Sequence, residues 1–435
     1  LLLPFALAAR QVVPKTSTDA DYARFYGDIS AFTNNTALYK DPIRGHGFVL
    51  TKNVTTGDEI TRVPNHFMIS PNEYFAWSPY IQHLSADKRL MIRLLYEKFL
   101  GKPDNLKSFF VHSLSTEAPS VPIFFSDKEF KLFSDVALHP HKKKYFVEDF
   151  KKVKAKVEDA LDDIDGVPPE ALETDAIKWA YFHVTSRVFD VEESELHLWL
   201  HNMSPSAAVD PENTTKIMVP IVDMSNHLPR PYRHQQEDSN FYAVLYPSSY
   251  GDDFVLRADR NQTVGEEYVW SYGTKSNLHL MENYGFVLEN NLDDYFYMSF
   301  KGADHCFEEE EGEWCYYKVG RKRLNKKLFK HLYQAFFADP IPTLNLVNLD
   351  EIFSEADKST QEIILKTLRE YRRRVLLHFD DRIGLREVRR MSKTQETYHE
   401  YMIYTVAIEG RETAHAQVWM VDKLLIKLLS NQNFI

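Results

Sequence analysis

Asp223-Met224-Ser225-Asn226-His227 stands at the end of the apolar run Lys216-Ile217-Met218-Val219-Pro220-Ile221-Val222. Such a run predicts a buried strand. The abrupt change to Asp, Asn and His then brings polar groups out at a strand end, where ligands are often bound. Downstream come Tyr272-Gly273-Thr274-Lys275-Ser276-Asn277 and Asn283-Tyr284-Gly285-Phe286. Each dipeptide is common alone, but the three segments in this order form a specific pattern.

On either side of this block the hydrophobic period alternates between strand and helix. From about Tyr22 to Tyr74, short apolar runs such as Gly47-Phe48-Val49-Leu50 and Glu59-Ile60-Thr61-Arg62-Val63-Pro64 alternate with turn residues and predict strands. Between Pro79 and Ser186 the period becomes helical, with Leu90, Met91, Leu94, Leu95 and Phe99 on one face and a similar pattern over Phe146 to Ile164. Strand patterns return in Phe241 to Tyr246 and Glu267 to Trp270. Helical ones return from about Leu324, including Ile363 to Phe379 and Ala416 to Leu429. The order sheet, helices, sheet, helices predicts an α+β fold in which a helical insertion interrupts a sheet.

The 435 residues carry 52 basic and 63 acidic side chains, a net charge of −11. This excess of acid argues against a broad electrostatic grip on nucleic acid or anionic lipid. Basic runs at Lys142-Lys143-Lys144 and Arg372-Arg373-Arg374 read as solvated helix faces. With 44% hydrophobic and 14% aromatic residues, and only 15 Gly and 20 Pro, the chain is neither disordered nor low-complexity. After the first nine residues no stretch approaches the roughly 18 apolar residues of a membrane span. Gly-x-Ser-x-Gly, phosphate-cradling Gly-rich loops and His-Glu-x-x-His are absent from the sequence. His197 and His201 share an i, i+4 spacing without an evident third ligand. A zinc site from His305, Cys306 and Cys315 lacks a fourth ligand, so no metal is expected.

The Asp223 to His227, Tyr272 to Asn277 and Asn283 to Phe286 segments resemble signatures of the SET-domain methyltransferases. The branch is the one typified by the Rubisco large-subunit lysine methyltransferase and the actin-histidine methyltransferase. Arg44-Gly45-His46-Gly47-Phe48 is similar to that branch's Gly-x-Gly cofactor loop, and Ser186-Arg187-Val188-Phe189 to its Ser-Arg-x-Phe segment. The resemblance implies a SET-type β-fold interrupted by a helical insertion and followed by a C-terminal all-helical substrate-binding domain. The implied boundaries are a leader at 1–21, SET portions at 22–78 and 186–300, inserted helices at 79–185 and a helical domain at 301–435.

It also implies a chemistry, in-line methyl transfer from S-adenosylmethionine to a protein amine, in which positioning is most of the work. By resemblance Tyr272 is the catalytic tyrosine. Arg44, His46, Gly47, Asn226 and His227 hold the cofactor, Arg187 pairs with its carboxylate, Asp223 braces the loop, and Tyr284 lines the same pocket. Phe189 and Tyr268 fall to the substrate channel. In the histidine-methylating member Asn occupies the position of Phe189, and Trp that of Val222. An apolar channel suits a lysine stem better than an imidazole that needs a hydrogen bond. The expected partner is therefore a protein substrate, with no nucleic acid.

The start Leu1-Leu2-Leu3-Pro4-Phe5-Ala6-Leu7-Ala8-Ala9 reads as the end of a signal peptide, with a processed organellar leader or an apolar arm as alternatives. Asn-x-Ser/Thr sequons occur at Asn34, Asn53, Asn202, Asn213 and Asn261, against roughly two expected by chance. Pro205 disfavours the one at Asn202. In an oxidising compartment Cys306 and Cys315 could close a local disulfide loop. These features, with His46 in the cofactor loop and the acidic run Glu308 to Glu311, keep open a secreted SET-fold protein that binds without turnover.

Overall fold

A computed structural model describes residues 35–41, 45–64, 67–71, 81, 83–102, 105–116, 119–137, 140–192, 214–227, 243–248, 251–258, 260–301, 307–309, 312–334, 349–378, 385–395 and 397–432. The chain forms two units, Leu1–Pro119 with Lys144–Tyr272, and Ser120–Lys143 with Gly273–Ile435. Residues 120–143, read from sequence as part of the inserted helices, group with the second unit.

In the first unit, β1 (Thr36–Asp41) and β2 (Gly45–Leu50) form an antiparallel pair with Tyr39 opposite Gly47. Strand β3 (Glu59–Val63) follows, and β4 (Val188–Glu192) pairs with β5 (Thr214–Met218). The short β6 (Asn226–His227) lies beside β9 (Glu267–Trp270) in parallel, so that the sheet order is β1-β2-β9-β6. The remaining sheet joins β3, β8 (Gly251–Arg257) and β7 (Ala243–Ser248) in that order. Period-two alternation explains the burial, since Leu38, Phe48, Leu50 and Tyr268 all enter one core.

The helices predicted from their period are present. Ala86–Phe99 buries Leu90, Met91, Leu94 and Leu95 and packs against Thr174–Arg187 and β5. Arg93 and Glu97 form an ion pair of 2.5 Å on its buried face, and the Ser108 hydroxyl donates to the same carboxylate. The pattern over Phe146 to Ile164 corresponds to the helix Pro140–Asp162.

One local expectation is corrected. The run Lys216 to Val222 is strand only as far as Met218, whose amide and carbonyl both bond Ile69 at 3.0 Å. Pro220 cannot donate to a ladder. The chain then turns through Ile221, at φ 78, into a single 3-10 turn, Val222–Met224. A positive φ is costly for a β-branched residue. Here it swings Asp223 to His227 off the strand axis.

In the second unit, β10 (Tyr295–Lys301), β11 (Phe307–Glu309) and β12 (Gly312–Gly320) form an antiparallel sheet of order β10-β12-β11. Residues 307–320 therefore depart from the helical block expected from 301 onward. The reason lies in Trp314-Cys315-Tyr316-Tyr317-Lys318-Val319, rich in residues that suit a pleated surface.

From Lys326 the described elements are helical: Lys326–Gln334, Leu349–Glu355, Lys358–Leu377, Leu385–Met391 and the 35-residue Tyr398–Gln432. Leu328, Phe329, Ile364, Leu368, Tyr371, Val421 and Leu428 share their core. The helix Asp127–Val136 starts with a reciprocal Ser126–Glu129 capping box and places Phe133 and Val136 against Met402, Ile403 and Val406. Among the described residues no helix is long and apolar enough to cross a membrane.

Candidate functional site

The site grows from the ends of β2, β6 and β9 in the first unit. Parallel pairing puts Asn226 opposite Val269 and His227 opposite Trp270. The Asn226 Nδ2 donates to Glu267 Oε1 at 2.9 Å and to the His46 carbonyl at 3.4 Å. A Cβ on Gly47 would lie 2.7 Å from that Nδ2 and 2.8 Å from the Tyr39 ring. Only glycine lets the β2 backbone come this close to Asn226.

Two hydrogen bonds then fix Tyr272. Its backbone N–H donates to His227 Nδ1 at 3.1 Å, and its hydroxyl donates to the Ser225 carbonyl at 2.8 Å. The rings of His227 and Tyr272 lie 5.0 Å apart. With its hydrogen committed to Ser225, the Tyr272 hydroxyl offers an approaching group an acceptor oxygen. Ser225 is buried, and its own Oγ has no hydrogen-bond partner among the described residues.

Behind this loop runs a polar chain. Arg187 Nη1 donates to Asp223 Oδ2 at 2.8 Å and to the Asp223 carbonyl at 3.3 Å. The Asp223 side chain is fully buried. Burial raises its carboxyl above the usual range, while the Arg187 guanidinium pulls in the opposite direction. Arg187 Nε donates to His183 Nδ1 at 3.2 Å, and His183 Nε2 lies 3.0 Å from the Ser115 carbonyl. Burial first, then the neighbouring Arg187 charge, hold the His183 imidazole well below its ordinary pKa. The same carbonyl accepts from Trp179 Nε1 at 2.8 Å.

The structure thus brings together His46, Gly47, Arg187, Asp223, Asn226, His227 and Tyr272. It places Tyr268 elsewhere: its side chain is in the core, 3% exposed, with its hydroxyl on the Arg257 carbonyl at 3.3 Å. One residue along a strand reverses the face, so Tyr268 serves the core. Phe189 packs against Phe254, with ring centroids 5.6 Å apart. Tyr284 belongs to the second unit. It closes the helix Asn277–Tyr284, whose C-cap Gly285 has φ 75, and its ring neighbours are His279 and Phe286.

Arg44, Asn34, Asn202, Asn213, His197, His201, His305 and Cys306 lie outside the described residues, as does the side chain of Cys315, so the disulfide expectation falls there too. Among the described residues no group of three or more His, Cys, Asp or Glu is placed to hold a metal. Sequence reasoning missed His183, Ser225 and Glu267. The i, i+4 spacing of His183 and Arg187 on one helix was the signal available for the first.

Fold and strand-end site together define a SET-type fold with a helical C-terminal region. Over 95% of its length the chain matches 93% of the SET domain of LSMT bound to lysine and AdoHcy, with a TM-score of 0.64 and 15% identity. Rubisco LSMT bound to AdoMet matches over 96% of this chain and 93% of that one, with a TM-score of 0.63 and 16% identity. Protein SET DOMAIN GROUP 40 of Arabidopsis thaliana is 49% identical over 41 residues, a stretch spanning 9% of this chain and 8% of that protein. No family model matches the chain.

Proposed function

We propose that this protein is an S-adenosylmethionine-dependent protein-lysine N-methyltransferase. The observation that carries the reading is the convergence of Gly47, Asn226-His227 and Tyr272, three separate sequence segments, through specific hydrogen bonds at one sheet edge. Solved proteins of the same fold hold AdoMet, or AdoHcy with lysine.

The residues present fit that cofactor. Gly47 keeps the β2 backbone bare beside Asn226. Arg187, 18% exposed, is a cation that the end of the helix Thr174–Arg187 holds against this loop, and a guanidinium suits a carboxylate. Ser225 adds a buried hydroxyl. When bound, S-adenosylmethionine supplies an electrophilic methyl on a sulfonium. Arg187 and Asp223 pin the loop, Asn226 and Glu267 tie it to β2, and His227 holds the backbone of Tyr272. Tyr272 in turn presents an oxygen acceptor at a fixed place. The attacking amine must arrive neutral, and an apolar channel, to which we assign Phe189, would depress the pKa of a lysine.

Calorimetric titration with S-adenosylmethionine tests the reading. The wild type is expected to bind with about one-to-one stoichiometry, and Gly47→Ala to weaken binding at least about tenfold, because the added Cβ displaces Asn226. Absence of binding by folded protein would leave a SET-fold binding module in place of an enzyme.

We also propose that the chain is made in the secretory pathway and glycosylated at Asn53 and Asn261. Both are exposed. Their Oδ1 atoms accept from the amides of Val264 and Thr56 at 2.9 and 3.0 Å, so glycans on Nδ2 would not compete with these bonds. Protein expressed through that pathway should lose mass in at least two glycan steps under peptide-N-glycosidase F. An unchanged mass would refute the proposal.

A further inference from the structure

The polar chain behind the loop contains a residue that the methyl-transfer reading leaves unused. His183 sits one helical turn before Arg187 and is 1% exposed. Its surroundings are mostly apolar or cationic. The Trp179 and Phe182 rings lie 4.9 and 5.1 Å away. Lys98, from the neighbouring helix, spreads over the Trp179 ring at 3.9 Å.

The hydrogen bonds leave one consistent assignment of protons. Arg187 has only donors, so the 3.2 Å contact from its Nε requires a lone pair on His183 Nδ1. The single proton of the neutral ring then sits on Nε2, which faces the Ser115 carbonyl, an obligate acceptor, at 3.0 Å. The carbonyl's second lone pair takes the Trp179 indole N–H.

We propose that His183 is a positioning residue for methyl transfer. As a neutral Nε2–H imidazole anchored on Ser115, it fixes the Arg187 guanidinium, which fixes Asp223 and with it the loop that holds Tyr272. The inference rests on the reading of the Asp223 to His227 loop as the cofactor loop. Its geometry has three links: Ser115 to His183, His183 to Arg187, and Arg187 to the buried Asp223 carboxylate and carbonyl. The loop's carbonyl at Ser225 receives the Tyr272 hydroxyl, and its His227 receives the Tyr272 amide. A shift in Arg187 therefore reaches the tyrosine through the backbone of five residues, without His183 touching cofactor or substrate.

Three variants and two readouts test this. His183→Asn supplies a carbonyl oxygen near the place of Nδ1, so it can keep the acceptor for Arg187. His183→Leu keeps bulk and removes the acceptor. Loss of a group that orients a metal ligand typically costs about 10–100-fold, and we expect a cost of the same order for a group that orients Arg187. His183→Leu should therefore weaken S-adenosylmethionine binding by that factor, while His183→Asn stays within about threefold of wild type. Equal affinity in wild type and His183→Leu, or equal loss in both variants, would overturn the proposal.

Nitrogen NMR of histidine-labelled protein is the second readout and needs neither activity nor ligand. It should show His183 as the Nε2–H tautomer at neutral pH, and Arg187→Met should perturb its Nδ1 signal. An imidazolium or an Nδ1–H tautomer would overturn the proposal even if His183→Leu fails to fold. If the wild type binds no S-adenosylmethionine, the methyltransferase reading falls. The tautomer, with amide hydrogen exchange of residues 223–227 in His183→Asn, then decides the positioning role alone.

Discussion

Tyr272→Phe is expected to lower methyl transfer about 10²–10³-fold, the loss associated with removing one preorganised group from a reaction centre. Affinity for S-adenosylmethionine should stay within a few-fold. The split follows from what the hydroxyl does. It donates to the Ser225 carbonyl at 2.8 Å, which fixes the rotor and aims the oxygen, while the backbone of Tyr272 is held separately by His227. Phenylalanine keeps the ring and the backbone bond, so the pocket persists. What disappears is the oriented oxygen, and the Ser225 carbonyl loses a donor, worth about 1 kcal/mol of stability. Single-turnover methylation of a lysine peptide, read beside calorimetric cofactor binding, separates these terms. Parallel loss of binding and turnover would mean that Tyr272 is part of the wall and not of the chemistry.

Much of this site was legible because its parts are local in sequence. The Asp223 to His227 segment announces itself by polarity at the end of an apolar run, and Tyr272 follows a short alternating strand. The residues behind the site were hidden for a physical reason. His183 gains its role from the carbonyl of Ser115, 68 positions earlier, and no spacing rule reveals which carbonyl an imidazole will meet. Glu267 reads as a solvent-facing strand acid until the register sets Val49 opposite it and Asn226 reaches it. The turn at Ile221 was illegible, since nothing in a β-branched residue advertises a positive φ. Tyr268 sits on the core face of β9, opposite its neighbour Glu267, whereas Tyr272 lies beyond the strand end, where His227 and the Ser225 carbonyl hold it.

The fold shows the same division. Helices with a clear period, such as Ala86–Phe99 and Lys358–Leu377, were predicted within a few residues. Strands β11 and β12 were missed because a charged run, Glu308 to Glu311, sits at their connection and masks the alternation on either side.

Replacing Asp294 by asparagine should make the protein more stable at pH 8 and leave it nearly unchanged at pH 4. Asp294 is 3% exposed, just before β10, and its Oδ1 accepts the Asn277 amide at 2.8 Å, at the start of the helix Asn277–Tyr284. Burial, opposed by that backbone N–H and by Arg321 and reinforced by Glu409, pushes its pKa up to about 7 from an ordinary 3.8. The folded state thus keeps a proton that the unfolded chain releases. Its stabilising contribution is complete below pH 3.8, erodes as pH rises and is lost above about 7. At 1.36 kcal/mol per pH unit the full effect is on the order of 4 kcal/mol. Glu409, whose carboxyl is also raised by burial, is tied to Arg321 at 2.8 Å and to the Asn290 amide at 2.9 Å. It remains in both proteins, so its own titration largely cancels in their difference. The introduced side-chain amide would keep an acceptor for the Asn277 N–H without ever carrying charge. Urea unfolding of wild type and Asp294→Asn between pH 4 and 8 should give curves that meet at the acid end and diverge upward for the variant. A constant offset across that range would show that Asp294 does not titrate in the folded protein, and that its burial is compensated by the helix start and Arg321.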